Sequence, residues 1–140
     1  LWNQRIEQIR QDGIDSMADA IIERWFSSAF RQKALQAVAG WRNMLVRTPV
    51  EGYLGTCAAL RDADLTAAAQ NLQMPVHCLC GSEDGATPPE LVKSMSALIG
   101  GARFQLVDGA GHLPCVEAAD KVAAAIRAFI EETHHDDNAL

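Results

Sequence analysis

The chain has 140 residues, 49% hydrophobic and 21% charged, with a formal net charge of −6. That is the composition of a folded domain with a real core, not of a disordered segment. The acidic balance and the lack of any basic run exclude the usual signature of a nucleic-acid or anionic-membrane partner, and no apolar stretch is long enough to span a bilayer.

The first half reads as helical. Residues 1–10 place Trp2, Ile6 and Ile9 on one face, and Gly13 can supply the left-handed residue that stops a helix. Asp15 is then the expected cap of a helix over residues 15–24, with Met17, Ile21 and Ile22 or Trp25 facing inward. Residues 25–30 read as a bulky connection. A third helix is expected over 32–46, with Leu35, Val38, Trp41 or Arg42, and Leu45 in register. Thr48-Pro49-Val50-Glu51 has the form of a capping box, opening a helix that runs to about residue 60, with a short turn over 66–70.

The pattern then changes. Residues 75–80 form a short apolar run ended by Gly81, and residues 88–99 read as a helix between Pro88 and Gly100-Gly101. A second strand is expected over 103–107, then the loop Gly109-Ala110-Gly111-His112. A long amphipathic helix follows over about 118–132, with Val122, Ala125 or Ile126, Phe129 and Ile130 inward. The tail, 134–140, is polar. Its His134-His135 pair is a remote metal candidate, more simply read as solvated.

Strands that alternate with helices imply a parallel sheet, and the predicted class is α/β. Two strands cannot make such a sheet by themselves, and the chain opens at Leu1 within an apparent helix. Both features are expected of a portion of a larger domain. Four cysteines, Cys57, Cys78, Cys80 and Cys115, lack the C-x-x-C spacing of a zinc or redox site. They are expected to be reduced and buried, as in a cytoplasmic protein.

In open α/β sheets the working residues sit on loops at the carboxyl ends of strands. Two loops occupy that position here: Gly81-Ser82-Glu83-Asp84 and Gly109-Ala110-Gly111-His112. Neighbouring parallel strands lie about 5 Å apart, so side chains on the two loops can meet. Asp84 is the expected carboxylate and His112 the expected proton carrier; Glu83, and more remotely Asp108, are alternative acids. Taken singly, Asp84 could be a turn former and His112 a loop residue.

The G-S-E-D and G-A-G-H segments, in this order and separated by one helix and one strand, resemble the α/β-hydrolase superfamily. The resemblance implies a C-terminal portion of that fold, with a helical cap or lid over 1–70, core over 71–133 and a tail over 134–140. It also implies Asp84 as the acid and His112 as the base of a nucleophile–acid–histidine triad. The stretches W-x-x-R-I, D-G-I-D-S-M-A-D, R-W-F and E-G-Y-x-x-x-C-A-A-L-R-D-A-D-L, with G-S-E-D-G-A-T-P-P-E and G-A-G-H-L-P-x-V-E, look more closely like the 3-oxoadipate enol-lactonases. That resemblance implies hydrolysis of a lactone formed in aromatic-compound degradation. It further implies Trp25, Trp41 and Met44 as pocket residues, Arg24 or Arg42 as the cation for a substrate carboxylate, and no cofactor or metal beyond water.

No G-x-S-x-G stands in the chain. The partner expected to carry the serine and the oxyanion hole is an N-terminal half of the same hydrolase. Gly55-Thr56-Cys57-Ala58-Ala59 is the one lookalike, but it falls inside an expected helix and too close to Asp84. Two alternatives stay open: another activity of the same fold (esterase, carbon–carbon bond hydrolase, dehalogenase or haloperoxidase) and a non-catalytic binding or structural module.

Overall fold

The computed structural model describes the backbone of residues 1–137 and the side chains of residues 1–133. The His134-His135 pair and the rest of the polar tail therefore lie outside the described side chains. The helical block consists of α1 (Trp2–Asp12), α2 (Asp15–Trp25), α3 (Ser28–Lys33), α4 (Leu35–Val46), α5 (Val50–Asp62) and α6 (Thr66–Gln70). The α/β part follows as β1 (His77–Gly81), α7 (Pro89–Ser96), β2 (Arg103–Val107), α8 (Pro114–Glu117) and α9 (Ala119–Asp137).

The apolar stripes of α1 and α2 meet those of α4 and α5. Ile6, Ile9, Ile14, Ala18, Ile21, Leu45, Leu54 and Cys57 form one buried cluster, with Trp2, Met17 and Trp25 packed at its edge. Full burial of an isoleucine or leucine contributes roughly 1.5–3 kcal/mol, so these side chains hold the four helices together. At Gly13, φ is +76° with ψ 170°. The positive φ is as expected, but the residue sits in the extended, essentially glycine-only region and not in the left-handed helical one.

Several local expectations are corrected. Asp15 does not cap α2; it is the first helical residue, Ile14 stands at the N-cap, and the Asp15 carboxylate pairs with Arg42 at 2.9 Å. The expected helix over 32–46 is two helices, because Ala34 leaves the helical region at φ −112°, ψ 46°. Only the second half of the 25–30 connection is helical: residues 28–30 begin α3, which Ser27 opens by accepting from the Phe30 amide at 3.2 Å. No capping box forms at α5. The Thr48 hydroxyl donates back to the Met44 carbonyl, four residues earlier, and Pro49 occupies the N-cap position.

β1 and β2 pair in parallel, His77 against Arg103 through Gly81 against Val107. α7 is the crossover between them and packs on both. α9 crosses by way of Phe129, whose ring lies 5.1 Å from the His77 ring. The inward expectation for Ile126 and Ile130 is corrected: both remain 46% exposed. Two strands span about 5 Å, less than the ~10 Å width of a helix, so this ladder cannot cover the face that α9 presents. Leu91, Met95, Leu98 and Leu106 are exposed around the same small sheet. Cys57, Cys78 and Cys80 are buried as expected, but Cys115, on α8, is exposed; all four are free thiols. No helix of the described residues is long and apolar enough to cross a membrane.

Candidate active site

Because Gly81 and Val107 are the last residues of a parallel ladder, the loops after β1 and β2 leave the sheet from the same end. Backbone hydrogen bonds lock them side by side: the Ser82 amide donates to the Val107 carbonyl at 3.1 Å, and the Glu83 amide to Ala110 at 2.9 Å. The Gly109 amide donates to the Ser82 hydroxyl at 2.8 Å. Two glycines permit this approach. A Cβ on Gly81 would lie 2.0 Å from the Gly111 carbonyl oxygen, and one on Gly111 would lie 2.5 Å from the Trp25 carbonyl oxygen.

Asp84, 7% exposed, projects from the first loop. Its Oδ1 accepts from the amides of Ala86 and Thr87, both at 2.8 Å. Its Oδ2 accepts from the Thr87 hydroxyl at 2.8 Å and lies 2.9 Å from His112 Nδ1. Burial alone pushes the Asp84 carboxyl up. The bonds from His112, Thr87 and Ala86 outweigh it and hold the group below the usual carboxylate range. An ionised carboxylate only accepts, so Nδ1 carries a proton, and in the neutral imidazole the lone pair is on Nε2.

The histidine loop is tied into the helical block. The His112 amide donates to the Trp25 carbonyl at 2.8 Å. Glu117 of α8 accepts from the Gly111 amide at 2.9 Å and from the Ser27 amide at 3.1 Å, and also from the Ser27 hydroxyl. Arg24 Nε donates to the Gly85 carbonyl at 2.9 Å, and the Gly85 amide to the Arg24 carbonyl at 3.1 Å. The end of α2 thus braces both loops.

A cavity of about 420 Å³ opens between α1, α2, α5 and these loops, with His112, Thr87, Trp25, Arg24, Arg5 and Tyr53 in its wall. Of the residues singled out from sequence, Asp84 and His112 are brought together, and Trp25 and Arg24 line the cavity beside His112. Trp41, Met44 and Arg42 stand elsewhere. Trp41 packs on Phe26 with ring centres 6.1 Å apart, Met44 is 53% exposed, and Arg42 binds Asp15 and Asp19, the latter at 2.6 Å. Glu83 faces the Ser28 amide at 3.4 Å instead of His112. Asp108 meets Lys121 through its backbone carbonyl. Cys57 lies within α5, buried in the cavity wall, and burial pushes its thiol up although Arg5 pulls the other way.

Three residues escaped the sequence reading. Thr87 stands three residues after Asp84, a spacing that suits a side chain closing its own turn. Glu117 ends the G-A-G-H-L-P-x-V-E stretch, but nothing local marks its bond to Ser27, 90 residues away. Arg5 lay within the W-x-x-R-I stretch, but nothing in the sequence marked it as facing a cavity.

No protein-family model matches the chain. It is 28% identical over 130 residues to 3-oxoadipate enol-lactonase 1 of Acinetobacter baylyi, covering 93% of this chain and 48% of that protein. Among solved structures, it is similar to an enol-lactonase of Burkholderia xenovorans, with 29% identity and a TM-score of 0.88 over 94% of this chain and 50% of the other. A thermophilic esterase of Thermogutta terrifontis matches at 26% identity and a TM-score of 0.85, over 95% of this chain and 49% of the other. The chain thus spans about half the length of the relatives it matches. Its fold is a C-terminal portion of an α/β-hydrolase: a helical block followed by parallel strands and their helices.

Proposed function

We propose that this chain supplies the acid and the base of an α/β-hydrolase that opens a lactone ester, as the 3-oxoadipate enol-lactonases do in the breakdown of aromatic compounds. Residues 1–70 serve as its lid, and residues 71–133 as part of its core. The observation that carries the reading is the 2.9 Å contact between His112 Nδ1 and a buried, ionised Asp84 beside a cavity. Asp84 fixes the tautomer and stabilises the imidazolium; His112 Nε2 takes the proton of a serine supplied by an N-terminal portion of the protein and returns it to the leaving oxygen. The attacking group and the oxyanion donors are those of that portion, and water completes the turnover. The four free thiols, three of them buried, suit the reducing cytoplasm.

The test is hydrolysis of the enol-lactone of 3-oxoadipate by the full-length enzyme and by its Asp84→Asn and His112→Ala variants. The reading expects ring opening by the wild type and a loss of at least about 10³-fold in each variant. Undiminished turnover in both would overturn it. A second reading, hydrolysis of an open-chain ester, is supported by the likeness to the esterase. It predicts faster turnover of a simple alkyl ester than of the lactone.

A further inference from the structure

We propose that Glu117 is a positioning residue for the base: it fastens His112 to the junction of α2 and α3, so that the helical block, and not the sheet, sets where His112 stands; this rests on the hydrolase reading above. The backbone bonds of the histidine loop change direction at one point. Up to Ala110 the loop belongs to the strand side: the Ala110 amide donates to the Val107 carbonyl at 3.3 Å, and its carbonyl accepts from the Glu83 amide at 2.9 Å. From Gly111 on it belongs to the helices. The His112 amide donates to the Trp25 carbonyl at 2.8 Å, and the Gly111 amide to Glu117 at 2.9 Å. Glu117 passes that tie on, since its carboxylate also accepts from the Ser27 amide at 3.1 Å and from the Ser27 hydroxyl.

Each part of the link is fitted to it. Pro114 opens the short helix α8, which brings Glu117 back toward Gly111, six residues earlier. Ser27 is buried. A Cβ on Gly111 would lie 2.8 Å from Glu117 Oε1 and 2.9 Å from the Ser27 nitrogen, so the junction closes only around a glycine. An ionised carboxylate only accepts, and this one meets two amides and a hydroxyl, so charge-assisted bonds join segments 90 residues apart in the chain. Glutamine has nearly the same shape but would turn an N–H toward one of those donors. The junction also reaches the cavity. The side chains of Trp25 and Arg24 line it beside His112. The Trp25 carbonyl holds the His112 amide, and the Arg24 carbonyl holds the amide of Gly85, next to Asp84, at 3.1 Å. A molecule seated in the cavity therefore presses on the segment that places both members of the pair.

The experiment compares Glu117→Gln and Ser27→Ala with wild type in the full-length enzyme. On the enol-lactone of 3-oxoadipate, Glu117→Gln is expected to lower kcat roughly 10–100-fold and to change KM less than about threefold, because the base moves and the cavity does not. Ser27→Ala leaves both amides on the carboxylate and should show the same split with a fall of about threefold to tenfold. A double-mutant cycle on p-nitrophenyl acetate separates positioning from general damage. Glu117→Gln should cost about tenfold or more when His112 is present and less than about twofold in the His112→Ala background. If Glu117→Gln does not fold, Ser27→Ala takes its place in the cycle, with the same pattern expected. Proton NMR of the His112 Nδ1–H reads the placement without chemistry; its resonance should shift or broaden in the folded variant. An equal loss in both backgrounds, or an unmoved Nδ1–H resonance, overturns the assignment. A displaced resonance in an enzyme that leaves lactone and ester intact would keep the link and remove the proposed reaction.

Discussion

Gly81→Ala probes the seam on which the site depends. The new methyl would lie 2.0 Å from the Gly111 carbonyl oxygen and 2.3 Å from that of Ala110. Carbon and oxygen normally approach no closer than about 3.3 Å, so the loops must part by more than ~1 Å. The Glu83–Ala110 bond, at 2.9 Å, crosses the same seam, and the Asp84–His112 contact depends on it. Overpacking of this kind costs about 1–3 kcal/mol, with roughly 1 kcal/mol more for a strained hydrogen bond. Moving the base by ~1 Å costs about 10²-fold in rate. Gly100→Ala is the control, since its Cβ meets nothing within 4 Å. Urea midpoints and kcat/KM of the two variants in the full-length enzyme decide the matter. If Gly81→Ala matched Gly100→Ala in both, close packing of the loops would not be what holds the pair together.

Asp84→Asn should keep the fold but lose activity by about 10⁴-fold, as amidation of the equivalent acid does in serine proteases, because Asn can present an N–H to Nδ1 and reverse the tautomer; kcat at saturating substrate reads this. Glu117→Ala leaves the Gly111 and Ser27 amides without their shared acceptor. It should destabilise by about 2–4 kcal/mol and lower kcat, both measurable in the purified variant. Acid should destabilise the protein through two groups. Asp84 sits below its ordinary range, so its contribution is present above pH ~4 and is lost as pH falls through its folded value. His77 is pushed down by burial and then by Arg103, so the folded state resists its protonation and loses stability as pH drops below ~6.5. Denaturation midpoints should therefore fall between pH 7 and 5, and fall less in a His77→Gln variant; a midpoint that rises would contradict the assignment.

What was legible in the sequence was whatever local pattern governs. β2 is legible because Arg103–Val107 alternates polar with apolar residues and ends on an apolar pair, between a glycine pair and a turn. The Asp84 and His112 loops were legible because position after a strand is itself the signal. The break at Ala34 was not, since alanine is a strong helix former and tertiary packing turns the chain there. The Thr48 capping box failed because the same hydroxyl had a competing acceptor in the helix it ends, the Met44 carbonyl. Ile126 and Ile130 followed the helical period faithfully, but period says nothing of how wide the facing sheet is. Arg42 and Arg24 looked alike in sequence; only the fold sets one among Asp15 and Asp19 and the other in the cavity wall.

Labelling the full-length enzyme with a fluorophosphonate, followed by peptide mass mapping, bears hardest on the claim that Asp84 and His112 activate a nucleophile from outside these 140 residues. The expected result is one adduct, on a serine in the N-terminal portion, formed far more slowly in the His112→Ala variant. An adduct within this chain, or labelling that proceeds equally without His112, would contradict it.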